Sequence, residues 1–171
     1  MTFYELARSR YSVRSFKEDM IKDEELSAII EAGRVAPTAC NNQPQKIYIV
    51  KSEEKLSRLR EACRFTFNAP LVLAVGYDRE RDWKNRRMPG YSSGETDAAI
   101  VQTHMMLAAW ELGIGSCWVG AFAEDKIREA LGISDGVRIT ALLPLGYPAK
   151  DAVPLDLHSV YRDKEDTVET I

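Results

Sequence analysis

Two histidines, three cysteines and the lack of any long apolar run set the first limits on this 171-residue chain. Cys40, Cys63 and Cys117 lie far apart and form no C-x-x-C pair, so neither a disulfide scaffold nor a thiolate centre is expected, and a reducing cytoplasm suits them. With His104 and His158 isolated in the sequence, no metal site is expected either. No stretch approaches the roughly 18 apolar residues of a membrane helix, and the N-terminus has Glu5 where a signal peptide would have an apolar core. No membrane partner is therefore expected. Positive charge is also short: the net charge of -3 argues against nucleic acid as a partner, because duplex binding rests on a concentrated positive field.

What is present suits one globular domain, with 45% hydrophobic and 29% charged residues. Periodicity predicts a short helix over residues 2–8, with Phe3, Leu6 and Ala7 on one side. Asp23 is expected to cap a second helix, with Leu26, Ile29 and Ile30 as its buried stripe, ending before Pro37. Ile47 to Val50 reads as a strand, and Ser52 as the cap of a helix from Glu53 to about Cys63. Leu71 to Val75, an apolar run after Pro70, predicts a central strand covered on both faces. The longest helix, about Glu95 to Leu112, stops at Gly113 and is apolar nearly all round, as Ile100, Met105, Met106 and Trp110 show. Such a helix is either the centre of a monomer or part of a subunit interface. Ser116 to Val119 reads as a strand, Ala123 to Leu131 as a helix and Arg138 to Leu145 as a final strand. The expected fold class is α+β, an α/β-type mixed sheet flanked by helices. Residues 1–150 would form the domain and 151–171 a tail.

Three segments carry chemistry. In Arg10-Tyr-Ser-Val-Arg14, an extended backbone would place Arg10, Ser12 and Arg14 on one face, with the arginines roughly 13 Å apart. Forked guanidinium donors and a hydroxyl can grip a phosphate, although R-x-S-x-R alone is more often an ordinary basic turn. Ala36-Pro-Thr-Ala-Cys-Asn-Asn-Gln-Pro44 is a loop stiffened by prolines, whose amides can donate and accept along a ring edge or serve the loop's own backbone. Gly113-Ile-Gly-Ser-Cys-Trp-Val-Gly-Ala-Phe122 combines glycines that permit a sharp turn and close approach with the flat surface of Trp118. It is not a G-x-G-x-x-G phosphate loop, since it does not open a helix after a strand. A fourth segment, Arg79 to Arg87, interleaves basic residues with Trp83; it reads as a solvated loop that can still border a pocket for an anionic substrate.

R-x-S-V-R, A-P-T-x-x-N-x-Q-P and L-G-I-G-S-C-W-V-G-A-F, in this order and spacing, resemble the nitroreductase family of FMN flavoproteins, from Glu5 to Pro148. The resemblance implies an intertwined homodimer with FMN at the subunit interface, NADH or NADPH as electron donor, and a small-molecule acceptor such as a nitroaromatic, a quinone or a flavin. Arg10 and Ser12, on either side of Tyr11, would hold the phosphate, and Arg14 would reach the N1/O2 edge of the ring. Pro37, Thr38 and Asn41 would approach from the partner subunit, with Gln43 beside them. Trp118, Val119 and Gly120 would line the ring through backbone groups, and Arg162 or Lys164 of the tail would complete the phosphate site. Tyr11 stands where many members have a second basic residue, Ala39 replaces a common serine, and Gln45 stands where an aromatic is frequent. The chain is too short for the helical insertion of larger members, so the loop from Asp78 to Gly94 would border the substrate side. The tail would pack on the partner. Since the cofactor carries the redox chemistry, no side chain is expected as a catalytic nucleophile or obligatory acid. Two other readings stay open on the residues: a flavin-sequestering protein with little turnover, and a non-flavin interaction domain using the Arg79 to Arg87 loop.

Overall fold

The computed structural model describes residues Met1–Ile171. Five helices and four strands follow one another in the order expected. α1 (Phe3–Ser9) is capped by Thr2, whose hydroxyl accepts from Glu5 N–H at 3.3 Å while the Glu5 carboxylate accepts from Thr2 N–H at 2.7 Å. That reciprocal pair satisfies two donors the helix itself cannot. α2 (Asp23–Arg34) has Lys22, not Asp23, at its boundary, and Lys22 N–H donates to the Glu25 carboxylate at 3.2 Å. Asp23, Glu24 and Glu25 then place negative charge on the first turn, where the helix dipole favours it. β1 (Gln45–Val50) leads to α3 (Glu53–Ala62), which Ser52 caps as expected, its hydroxyl accepting from Lys55 N–H at 3.4 Å. β2 (Leu71–Asp78), α4 (Gly94–Glu111), β3 (Gly115–Ser116), α5 (Glu124–Leu131) and β4 (Val137–Gly146) complete the series.

The sheet order is β1-β2-β4-β3, and each of these ladders is antiparallel. The mixed sheet expected from sequence is thus reduced to one parallel contact, the isolated bridge between Ser12 and Ser116. The apolar run of β2 reports coverage on both faces, not strand direction. Leu71, Leu73, Val75 and Tyr77 join the core beneath α2 and α4, while Val72 and Ala74 join Leu56, Leu59 and Ile127 on the opposite face. β3 is shorter than the expected Ser116 to Val119. The chain keeps its register on β4, with a second bridge at Val119–Leu142, and Cys117 N–H donates to the Pro144 carbonyl at 3.3 Å. Pro144 has no N–H to return, so the ladder breaks there.

α4 buries Ala98, Val101, Met105 and Ala109 against the sheet and α2. Ile100, Met106, Leu107 and Trp110 stay half-buried, which leaves much of its other side apolar and uncovered. No helix is long and apolar enough to cross a membrane. Beyond β4 the tail makes two short 3-10 turns, Asp156–Ser159 and Lys164–Asp166, and exposes Leu155, Leu157, Val160 and Tyr161.

Candidate functional site

The Arg10 to Arg14 segment is held on the free edge of β3. Val13 N–H donates to the Ser116 carbonyl at 2.9 Å, and farther on Lys17 N–H donates to Tyr147 O at 2.9 Å. Val13 points inward and is fully buried, in contact with Gly115, where an added Cβ would lie 2.7 Å from Val13 Cγ2. This is the close approach that the paired glycines promised. With Val13 turned in, Arg10, Tyr11, Ser12 and Arg14 line one cleft of about 330 Å³, closed on its far side by Leu155, Leu157, His158, Val160 and Tyr161 of the tail.

Neither Arg10 nor Arg14 has a carboxylate partner within the ion-pair distance. Arg14 donates only to the Ser12 carbonyl, at 3.0 Å. Two unpaired guanidinium groups in one cleft are an anion site by charge. Both act on the segment just past β3: burial pushes the Cys117 thiol up, against the opposing pull of Arg14, the Ser12 hydroxyl and Arg10. Tyr11 lines the cleft, but its hydroxyl donates to Ala152 O at 3.1 Å and its ring meets Trp110 edge-on at 5.1 Å. It acts as a strut between the N-terminal segment and the tail. Arg162 follows Tyr161 but is not among the lining residues.

The loop from Pro37 to Pro44 is a second, separate constellation, and none of its residues lines the arginine cleft. Cys40, Asn41 and Gln43 all have positive φ, at 52°, 53° and 49°. Such strain persists only where surrounding contacts over-determine the backbone. Here they do. Thr38 Oγ1 accepts from Gln43 N–H at 3.1 Å, and Gln43 Nε2 donates to Asn41 Oδ1 at 3.3 Å. Asp97, in the first turn of α4 and buried, accepts from Ala39 N–H at 2.9 Å and from the Ser93 hydroxyl at 2.7 Å. Asn42 Nδ2 donates to Arg81 O at 3.2 Å, which ties this loop to the basic one. Pro37 and Asn41 are left exposed.

In the third segment Trp118 is 38% exposed, and its N–H and that of Gly120 make no bond within the chain. Val119 differs: its N–H and carbonyl exchange 2.9 Å bonds with Leu142, so neither is free for a ligand. Sequence reasoning overlooked Asp97, although Asp97, Val101 and Met105 recur every four residues on the buried stripe. A carboxylate on such a stripe is a signal for a buried polar contact. The part played by His158 and its neighbours in the tail had no comparable signal.

The chain is thus an antiparallel α+β domain that presents unpaired arginines on a sheet edge and, apart from them, a rigid amide loop. The chain belongs to the nitroreductase family: the model described as "Nitroreductase family" matches residues 7–64 and 62–147. A relative from Archaeoglobus fulgidus, whose name couples NADH dehydrogenase with NAD(P)H nitroreductase, is 33% identical over 149 residues, covering 82% of each chain. The crystal structure of a nitroreductase family protein from Clostridium difficile 630 superposes with a TM-score of 0.92 at 32% identity, covering 99% of this chain and 98% of that one. An FMN-dependent nitroreductase from Clostridium difficile R20291 gives 0.72 at 27% identity, covering 94% and 99%.

Proposed function

We propose that this protein is an FMN-dependent oxidoreductase of the nitroreductase type, drawing on NADH or NADPH and reducing a small organic acceptor such as a nitroaromatic, a quinone or a flavin. The observation that carries this reading is the cleft in which Arg10, Ser12 and Arg14 present two unpaired cations and a hydroxyl. Its size suits a phosphate with part of its chain and leaves an isoalloxazine ring to lie elsewhere. The free N–H groups of Trp118 and Gly120 and the exposed Pro37 and Asn41, with half-buried Thr38 between them, suit that ring. Bound FMN would supply two-electron redox chemistry, accepting from the nicotinamide and delivering to the acceptor.

The chain's residues bind and bias. Arg10 and Ser12 hold the phosphate, with Arg162 or Lys164 of the tail as a further donor. Arg14, released from the Ser12 carbonyl, places positive charge where the reduced ring becomes negative, an electrostatic preference set in advance by the fold. No side chain need act as nucleophile or obligatory acid. Since the arginine cleft and the Pro37 to Pro44 loop stand apart on one chain, each completes its site with the other half from a second copy. The uncovered side of α4 and the apolar residues of the tail provide the contact, with residues 1–150 as the domain and 151–171 reaching the partner. The three free cysteines fit a cytoplasmic setting.

The test is the visible spectrum of the purified protein, followed by anaerobic addition of NADH or NADPH. Flavin absorbance that bleaches supports the reductase. Absorbance that survives both donors indicates sequestration, and a colourless protein that FMN cannot reconstitute would sink the reading. Light scattering should give the mass of a dimer.

A further inference from the structure

The segment between β2 and α4 is a folded hairpin. Lys84 and Ser92 form a β-bridge, Asn85 N–H donates to Tyr91 O at 3.0 Å, and Ser93 N–H donates to Trp83 O at 2.9 Å. At its tip the Asn85 side chain accepts from Arg87 N–H at 2.9 Å. Beside it lies an open cleft of about 780 Å³, lined by Asn42, Trp83, Arg86 and Arg87 together with Asp82, Lys84 and Asn85. Asp82 is buried and pairs with Lys84, and Arg81 pairs with Asp78 at 3.7 Å. Arg86 and Arg87 have no such partner; they face the cleft beside the Asp82 carboxylate, whose Oδ1 pairs with Lys84 and whose buried Oδ2 has no partner, so the lining keeps a net positive charge. Trp83, half-buried, adds a flat apolar wall.

We propose that this cleft docks the adenosine 2′-phosphate end of NADPH, with Arg86 and Arg87 on the phosphate and Trp83 against the adenine, and that it makes NADPH the preferred donor. This deepens the reductase reading and rests on it. Three features select this ligand. A phosphomonoester carries nearly two negative charges at neutral pH and matches two forked cations. A base and a 2′-phosphate on adjacent carbons of one ribose match an aromatic and two arginines in the same cleft, whereas the pyrophosphate, carried on the 5′ carbon of that ribose in both dinucleotides, does not distinguish them. Asn42 forms part of the wall and is the neighbour of Asn41, so a dinucleotide held here by its adenosine end has its remaining length beside the proposed ring site. A nitroaromatic or quinone acceptor that carries no charge has no use for two arginines.

The experiment uses the flavin-loaded protein and the double variant Arg86→Gln/Arg87→Gln, both exposed positions whose replacement leaves the core untouched. Calorimetric titration with 2′,5′-ADP and with 5′-ADP should show the former binding at least about tenfold more tightly in the native protein, as charge-assisted bonds to one phosphate allow. The advantage should vanish in the variant. In steady-state assays the ratio of kcat/KM for NADPH to that for NADH should fall about tenfold or more. An unchanged ratio, equal losses on both dinucleotides, or no preference for 2′,5′-ADP would overturn the proposal. If neither donor is oxidised, the reductase reading fails, and the titration alone then decides whether the 2′-phosphate site exists.

Discussion

Asp97 links the strained loop to the longest helix, and removing it should unsettle both stability and cofactor retention. Its two carboxylate oxygens take the Ala39 N–H at 2.9 Å and the Ser93 hydroxyl at 2.7 Å, with only 2% of the residue exposed. Hydrogen bonds to a charged group contribute about 1.5–3 kcal/mol each, so Asp97→Ala should cost about 3–6 kcal/mol. In a chain of this length that is a fall in Tm of roughly 6–24 °C. Asp97→Asn separates charge from contact. The amide oxygen can still accept from Ala39, and the Ser93 hydroxyl can turn to accept from the new NH₂, leaving two neutral bonds of about 0.5–1.5 kcal/mol each. The asparagine variant should therefore lie between the alanine variant and the native protein.

The consequence for function follows from the backbone. Cys40, Asn41 and Gln43 hold left-handed conformations that cost of order 1 kcal/mol each or more, and the Asp97 bond to Ala39 lies at the start of that turn. Without it the loop relaxes, and FMN affinity, measured by flavin fluorescence, should weaken about tenfold, the equivalent of one lost hydrogen bond. Thermal and urea unfolding of the apo and flavin-loaded forms separate the two effects. If Asp97→Ala unfolds within about 1 kcal/mol of the native protein, the two bonds contribute far less than the geometry implies. If stability falls but FMN affinity does not, Asp97 supports the helix and does not position the loop.

Three further outcomes follow from the packing. Gln102 is fully buried with neither amide atom partnered, so the near-isosteric Gln102→Met should raise stability by about 1–2 kcal/mol in urea titration. Gly115→Ala would set a Cβ 2.7 Å from Val13 Cγ2; a fall of about 1–3 kcal/mol from overpacking, with loss of flavin as Arg10 to Arg14 is displaced, is the expected result in a thermal melt. The Tyr147 hydroxyl donates to Glu25 and holds that carboxyl below the usual range, while Glu25 pushes the tyrosine up. The sign follows for each: the Glu25 share is present above the ordinary glutamate range and lost as pH falls through its lowered pKa, and the Tyr147 share is lost as pH rises through its raised one. Tyr147→Phe should therefore flatten the acid limb of the stability profile and return Glu25 to its ordinary titration by NMR.

What the sequence disclosed divides along the range of the interactions. The Ser52 cap rests on a neighbour three residues away, and the coverage of β2 on both faces is written in its own apolar run, so the local sequence was enough to read them. The arginines of the first segment stood out for a different reason: R-x-S-x-R alone reads as a basic turn, and it took on meaning only with the two other segments in register. The contacts that place those residues are legible in neither way. Tyr11 reads as a departure in a phosphate motif because its role is fixed by Ala152, at a sequence separation of 141. β3 reads as four residues long because Pro144, which ends its ladder, withholds an N–H only from a strand whose register is not written locally. Asp97 lies 58 residues from Ala39 and was overlooked, although its place on an apolar stripe could have marked it, because a carboxylate is not buried without a partner. The same reasoning extends to Gln102, on that helix and likewise buried: there the pattern leads one to expect a partner, and the fold provides none. A polar residue on a buried stripe therefore marks the position, and only the fold distinguishes a strut from a cost.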